Sequence, residues 1–426
     1  MFRKPLTVAA AVSVLAGGLA APAASAAPVA PAGPVVSTLP GVALKGFQNG
    51  YLPGSIDDDH GVKLGGIGSG VYPAGPDTYW MVTDRGPNGQ PEINGEKRRT
   101  FPVPGFDPAI VKVRAAGGTL KVLKTVPILT RHGKGVTGLS NQKGHDEKPY
   151  AWDGRKELKY DPNGLDTEDI VKVPGGFWLV DEYGPSLVHV GDDGTVIARY
   201  VPKDLDLDGT DYPVKETLPK IFHHRQQNRG FEGLALSGHT LYLALQSPAE
   251  VPDGDTAEKS RNTRILAVDT RTGKPAAEYA YRFEDVTTFD PDADGDQNEM
   301  KISGLSATGP NKLLVDERTD NVARIYTLDL RGATDILGTK WDDNDTSPSY
   351  ESLDDPAKKG ITVGAKKLTL DLSEYTNVPG KIEGVAAVGD RIVLTNDNDF
   401  GVGDFDSGGR LVDTGVPSRL YTFTRR

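Results

Sequence analysis

Residues 168–201 read EDIVKVPGGFWLVDEYGPSLVHVGDDGTVIARYV, and this stretch decides the fold. Glu168 to Val173 reads as a strand, and Pro174-Gly175-Gly176 as a turn. Phe177 to Val180 is a second strand that ends at Asp181-Glu182. Ser186 to Val190 is a third, Gly191 to Gly194 a turn, and Thr195 to Val201 a fourth. Short apolar runs bounded by Gly and Pro are the strand signal. Four antiparallel strands in so short a stretch make one propeller blade.

The theme recurs along the chain, which is the mark of a repeat architecture. Units open at Ile67-Gly68-Ser69-Gly70, Phe231-Glu232-Gly233, Ile302-Ser303-Gly304 and Ile382-Glu383-Gly384. Their second strands end at Asp84-Arg85, Gln246, Asp316-Glu317-Arg318 and Asn396-Asp397-Asn398-Asp399. Opening and terminal polar residues stand 13–15 apart in every unit. Third strands follow at Ile110 to Val113, Arg264 to Val268, Ala323 to Leu328 and Arg419 to Phe423. The expectation is an all-β chain folded as a single propeller. Five repeats are recognised, and residues 130–165 supply a degenerate sixth blade if there is one. The competing architecture is an open β-sandwich. The last unit has three strands, so a strand near Val42 to Phe47 is expected to close the ring.

Composition agrees. The 426 residues hold 51 Gly and 31 Pro, about a fifth of the chain, where ~12% is usual. There is no Cys, which excludes disulfides, thiolate metal sites and a Cys nucleophile. The net charge of -11 argues against nucleic acid, whose binders need basic surface. Arg3 and Lys4, the apolar run Leu6 to Ala21 and Ala24-Ser25-Ala26 form a secretory signal pattern. Residues 1–26 are therefore expected to be cleaved, 27–39 to be a flexible leader, and 40–426 to be the propeller domain. No later segment is apolar enough to span a membrane. The expected product is a secreted monomer acting on a small anionic or ester substrate.

In a propeller, the start of each first strand and the end of each second strand meet on one face. Glu168, Asp169, Glu232 and Glu383 open first strands; Asp84, Asp181, Glu182, Asp316, Glu317, Asp397 and Asp399 follow second strands. The long connections fall on that face too, as functional loops commonly do. Crowded carboxylates raise one another's pKa unless a cation or Arg intervenes. All-oxygen clusters suit Ca²⁺, and Arg85, Arg229 and Arg318 are interleaved to bind anions. Two loops have the D-x-D-x-D-G spacing of calcium loops: Asp204-Asp206-Asp208 and Asp290-Asp292-Asp294, the second continuing to Asp296. Neither is an EF-hand, since Lys215 and Lys301 stand where a bidentate Glu would be. His223-His224 beside Arg225 is a candidate anion or proton site; His132 and His145 fall in the segment after the first unit. A nucleophile elbow, a P-loop, a dinucleotide fingerprint and an H-E-x-x-H motif are all missing from the sequence.

Thr83-Asp84-Arg85-Gly86, Val180 to Pro185, Arg229 to Leu234, Val315 to Arg318 and Ile382 to Val385 resemble the secreted bacterial "esterase-like activity of phytase" family. The resemblance runs over about residues 40–424. It implies a propeller that hydrolyses ester bonds, with phosphoesters first. On that reading Ca²⁺ is held by Asp181, Glu182, Glu232, Asp316 and Glu383, Arg85 and Arg318 clamp phosphate, and Glu168 or Asp397 is the base. A carboxylesterase or lactonase, and a non-catalytic Ca²⁺-binding propeller, are the alternatives.

Overall fold

The computed structural model describes residues 33–251, 256–343 and 345–425. The expected signal segment lies outside them, as do residues 27–32 of the expected leader. Five four-stranded antiparallel blades make up the ring, the first and last joined into one eight-stranded sheet by a parallel pairing of Thr38 with Thr119. Blade 1 has Gly70–Gly75, Thr78–Val82, Ala109–Ala116 and Thr119–Pro127. Blade 2 has Thr167–Val173, Gly176–Asp181, Ser186–Gly191 and Val196–Pro202, with Val214–Leu218 added in parallel at its edge. Blade 3 has Phe231–Ser237, Thr240–Leu245, Asn262–Asp269 and Lys274–Arg282. Blade 4 has Lys301–Gly309, Lys312–Arg318, Ala323–Asp329 and Ala365–Asp371. Blade 5 takes Gly384–Val388, Arg391–Asn396 and Arg419–Thr424, then Val35–Thr38 from the other end of the chain. The fold is the all-β propeller, with five blades.

The ring closes by a latch, at a place the sequence reading missed. Val35 to Thr38 pairs antiparallel with Thr422 to Arg419, inside the expected leader. The proposed closing segment instead forms the helix Leu44–Tyr51, with Leu44 and Phe47 buried. Apolar side chains three apart share a helix face, and that spacing outweighs the strand reading. Residues 130–165 make no sixth blade. They cross the propeller face, and their one named strand, Pro149–Tyr150, pairs with Arg99–Thr100 of another insertion.

Apolar layers between blades hold the ring. Trp80 of blade 1 meets Phe177 of blade 2 edge-on, with ring centroids 5.0 Å apart, a favoured aromatic geometry. Leu234, Leu241, Leu243 and Leu245 of blade 3 share a core with Trp178 and Val180 of blade 2. Blades 4 and 5 pack Leu314 and Ile325 against Val385 and Leu394.

Candidate functional site

The strand ladders put each blade in register. Gly70 faces Val82, Asp169 faces Val180, Gly233 faces Ala244, Gly304 faces Asp316 and Gly384 faces Thr395. One residue before each first-strand member stands Ser69, Glu168, Glu232, Ser303 or Glu383. Two residues after each second-strand member stands Asp84, Glu182, Gln246, Arg318 or Asp397. Five equivalent pairs therefore converge on one mouth. Eight of these ten residues line a single cavity of about 420 Å³; the other two, Ser69 and Ser303, hydrogen-bond to Asp397 and Arg318.

The cavity is blind. At the ladder position below the mouth, four blades carry Gly70, Gly233, Gly304 and Gly384. A Cβ on Gly304 would lie 2.4 Å from the Glu383 carbonyl oxygen, and one on Gly70 2.6 Å from the Asp169 Cα. Only glycine lets the inner strands approach so closely. The fifth position is Asp169, and its carboxylate fills the remaining space. It accepts hydrogen bonds from the backbone N–H groups of Leu234 and Ile170, both at 2.7 Å. Asp169 thus closes the channel and stays out of the cavity lining.

Charge in the cavity is unbalanced. Arg85 pairs with Asp166 and with Glu182 (2.8 Å), and it also donates to Asn228. Arg318 pairs with Glu383 and Asp320, each at 2.9 Å. Lys381 reaches Asp399 at 2.7 Å, Lys301 reaches Asp320 at 3.0 Å, and Arg99 reaches Glu147 at 2.6 Å. Arg229 alone among the basic lining groups has no carboxylate within ion-pair distance among the described residues. It donates instead to Ser247 Oγ at 2.9 Å and to the Asn298 carbonyl oxygen. The lining contains no apolar side chain.

Burial, then the nearby Glu383 carboxylate, pushes Glu232 up to about 8 and Asp397 up to about 7. Burial and neighbouring acids also hold Asp84, Glu168 and Glu182 well above the ordinary carboxylate range. One buried Glu232 oxygen, Oε2, has no hydrogen-bond partner. Two sets of carboxylates offer oxygens within 4.8 Å of one another: Asp84, Asp397 and Asp399, and Asp166, Glu168 and Glu182. Ligands on opposite sides of a calcium ion at ~2.4 Å lie ~4.8 Å apart, so either set fits that ion.

Several candidate residues stand elsewhere. Successive strand residues point to opposite faces, and this separates Asp181 from Glu182 and Glu317 from Arg318. Asp181 turns into blade 2, where Arg199, Ser186 and the Asp166 N–H engage it. Glu317 turns toward Lys366 and Tyr281. Asp316 is buried below Arg318, outside the cavity lining, with both oxygens unpartnered. These three positions correct the expected ligand set. The loop residues Asp204, Asp206 and Asp208, and Asp290, Asp292, Asp294 and Asp296, form no ligand cluster among the described residues. Asp204 pairs with Lys220. Asp290 and Asp296 accept from backbone N–H groups two residues on, as Asx turns do. His223 and His224 lie off the cavity; His223 faces His145 instead.

Sequence reasoning missed Asp166, Lys381, Lys301, Asp320, Glu147 and Asn228. Lys381 and Lys301 had a usable signal, since they stand two residues before the mouth positions Glu383 and Ser303. Asp166 likewise stands two before Glu168.

The family model "Phytase-like: Esterase-like activity of phytase" matches residues 62–400. An "Uncharacterized secreted protein" of Arthroderma benhamiae is 26% identical over 293 residues, covering 57% of this chain and 56% of that one. The match thus spans little more than half the length of that relative. Among solved structures, a PQQ-bound aldose sugar dehydrogenase from Streptomyces coelicolor is similar at TM-score 0.36 and 13% identity, covering 92% of this chain and 99% of that one. Regucalcin, a calcium-binding protein from Agrobacterium tumefaciens, is similar at TM-score 0.35 and 12% identity, covering 86% and 92%.

Proposed function

Because the chain belongs to the phytase-like family described by esterase-like activity, we propose that it hydrolyses ester bonds at the blind acidic mouth, with small phosphoesters as its substrates. One observation carries the choice of phosphoesters. The lining is wholly polar and holds one Arg, Arg229, with no carboxylate partner. A fatty acyl chain would find no apolar wall there, whereas a phosphate dianion gains charge-assisted hydrogen bonds.

Calcium fits the donor set of Asp84, Asp397 and Asp399, which is all carboxylate oxygen. When bound, the ion supplies charge neutralisation and acidifies water. The chain's own groups do the rest. Arg229 takes the phosphate, and Arg318, fixed by Ser303 and Glu383, flanks it. Glu168, poised upward by burial, accepts a proton from water. Glu232, with its free oxygen, gives one to the leaving alkoxide. Arg85 holds Asp166, Glu182 and Asn228 through one terminal nitrogen, Nη2, and so orients those groups, while its buried Nη1, without a hydrogen-bond partner, is left to donate to substrate.

The same reading takes 1–26 as a cleaved export signal and the propeller as a secreted monomer with neither nucleic-acid nor membrane partners. The name of the Arthroderma relative supports export. The test is turnover of p-nitrophenyl phosphate, phytate, p-nitrophenyl acetate and a lactone, with Ca²⁺ and with chelator. Calcium-dependent release of phosphate is expected. Turnover of the acetate or lactone alone would move the reading to a carboxylesterase or lactonase. No turnover of any compound would leave a binding propeller.

A further inference from the structure

Beside the cavity, two connections between blades meet through a pair of histidines. His145 lies in the segment between blades 1 and 2, and His223 in the short helix Lys220–His224 between blades 2 and 3. His145 Nδ1 and His223 Nε2 stand 3.3 Å apart, with ring centroids at 4.9 Å. Two imidazole nitrogens on one tetrahedral ion, each bonded at about 2.0–2.1 Å, are about 3.3–3.4 Å apart. The observed separation is the one a tetrahedral ion such as Zn²⁺ requires; Cu²⁺ or Ni²⁺, whose square-planar cis nitrogens stand about 2.8–3.0 Å apart, needs the two rings to close by a few tenths of an ångström.

The pair is also held in place. The residue after His145 is Asp146, which pairs with Arg225 at 2.7 Å; Arg225 follows His223 by two residues. Both charged groups are buried, and Arg225 also donates to the His145 carbonyl oxygen at 3.2 Å. A buried ion pair therefore fixes the two backbones from below, while His145 is exposed and His223 half-buried above. A preformed pair of this kind loses little conformational freedom when it takes a ligand.

We propose that His145 and His223 form the protein half of a site for a first-row transition ion, Cu²⁺, Ni²⁺ or Zn²⁺, which clamps the two connections together. Imidazole suits these ions and not Ca²⁺. The shared proton moves to the outer nitrogen of its own ring, and both inner lone pairs then face the ion. Water completes the coordination. The clamp bears on the cavity, because each connection continues into its wall. Glu147 follows His145, and Gln227, Asn228 and Arg229 follow His223.

The test uses tag-free protein and one equivalent of Cu²⁺, with Ca²⁺ in excess to occupy the carboxylates. Electron paramagnetic resonance should show hyperfine splitting from two nitrogens, and Ni²⁺ should raise the melting temperature. Both signals should be lost in His145→Ala and in His223→Ala. They should persist in His132→Ala and His239→Ala, which alter exposed histidines outside the pair. Melting without metal checks that the variants fold. A two-nitrogen signal unchanged in the His145→Ala/His223→Ala variant, or none in the parent protein, would overturn the site. The readout is independent of any hydrolysis, so it stands or falls apart from the ester reading.

Discussion

Asp181 and Glu182 are neighbours in sequence and live in opposite environments. Asp181 faces into blade 2 and meets Arg199, which also donates to Ser186 and Asn141 at 2.8 Å each. That guanidinium is fully buried, and its donors find acceptors within the fold. Glu182 faces the mouth, where it shares Arg85 with Asp166 and stands near further acids. One face of the strand carries matched charge, and the other carries a surplus. Matched burial is what a scaffold uses. A surplus costs stability, and it is useful only where a ligand arrives to balance it.

The comparison can be broken most forcefully on the matched side. Arg199→Met should strip Asp181 of its counter-ion and destabilise the fold by about 3–5 kcal/mol, read by urea unfolding. An effect below about 1 kcal/mol would show that the matched face is no more than packing. On the mouth side, the sign reverses. Glu232 is raised to about 8 in the fold from an ordinary value of 4.5, so between those values the folded state holds a proton that the unfolded chain has lost. Its contribution to stability is present at low pH and drains away as pH rises toward 8. Glu232→Gln should therefore gain on the parent protein by at most about 1.4 kcal/mol per pH unit across that window. It should lose activity as it does so. Parallel stability curves from pH 5 to 8 would refute this.

Calcium tests the same surplus from outside. A hundredfold excess over its dissociation constant should stabilise the parent protein by about 2.7 kcal/mol, more visibly at pH 8 than at pH 5.5. Asp397→Asn should abolish most of that gain, and calorimetry with chelator gives the baseline. Arg229→Gln should raise KM for a phosphoester about ten- to hundredfold, with kcat less affected and melting little changed. The smallest effect belongs to the loops. Asp206→Asn and Asp294→Asn should leave calcium binding untouched. A lost binding event in either titration would restore the loop as a site.

The repeat was legible because strands alternate with period two and Gly marks their turns. The rows Glu168, Glu232 and Glu383, and Asp84, Glu182, Arg318 and Asp397, followed from that register. The faces were not legible. A separation of 13 residues pairs Glu168 with Asp181, but the bulge between Thr167 and Asp169 makes Glu182 its partner at the mouth. A bulge shifts every side chain beyond it to the other face. The closing strand was missed because four residues in an Ala-Pro-Val stretch carry little pattern. Asp166 and Asn228 lie in loops, where no periodicity announces them.

The glycine ring and its Asp169 plug give the cavity a single doorway. Under the proposed function, substrate would enter and product leave by the same route, so product must clear before the next molecule docks. A polymer cannot be threaded through such a site and worked along its length. It can offer only a chain end or a side group, so the proposed hydrolysis would trim such a polymer and not cut it internally.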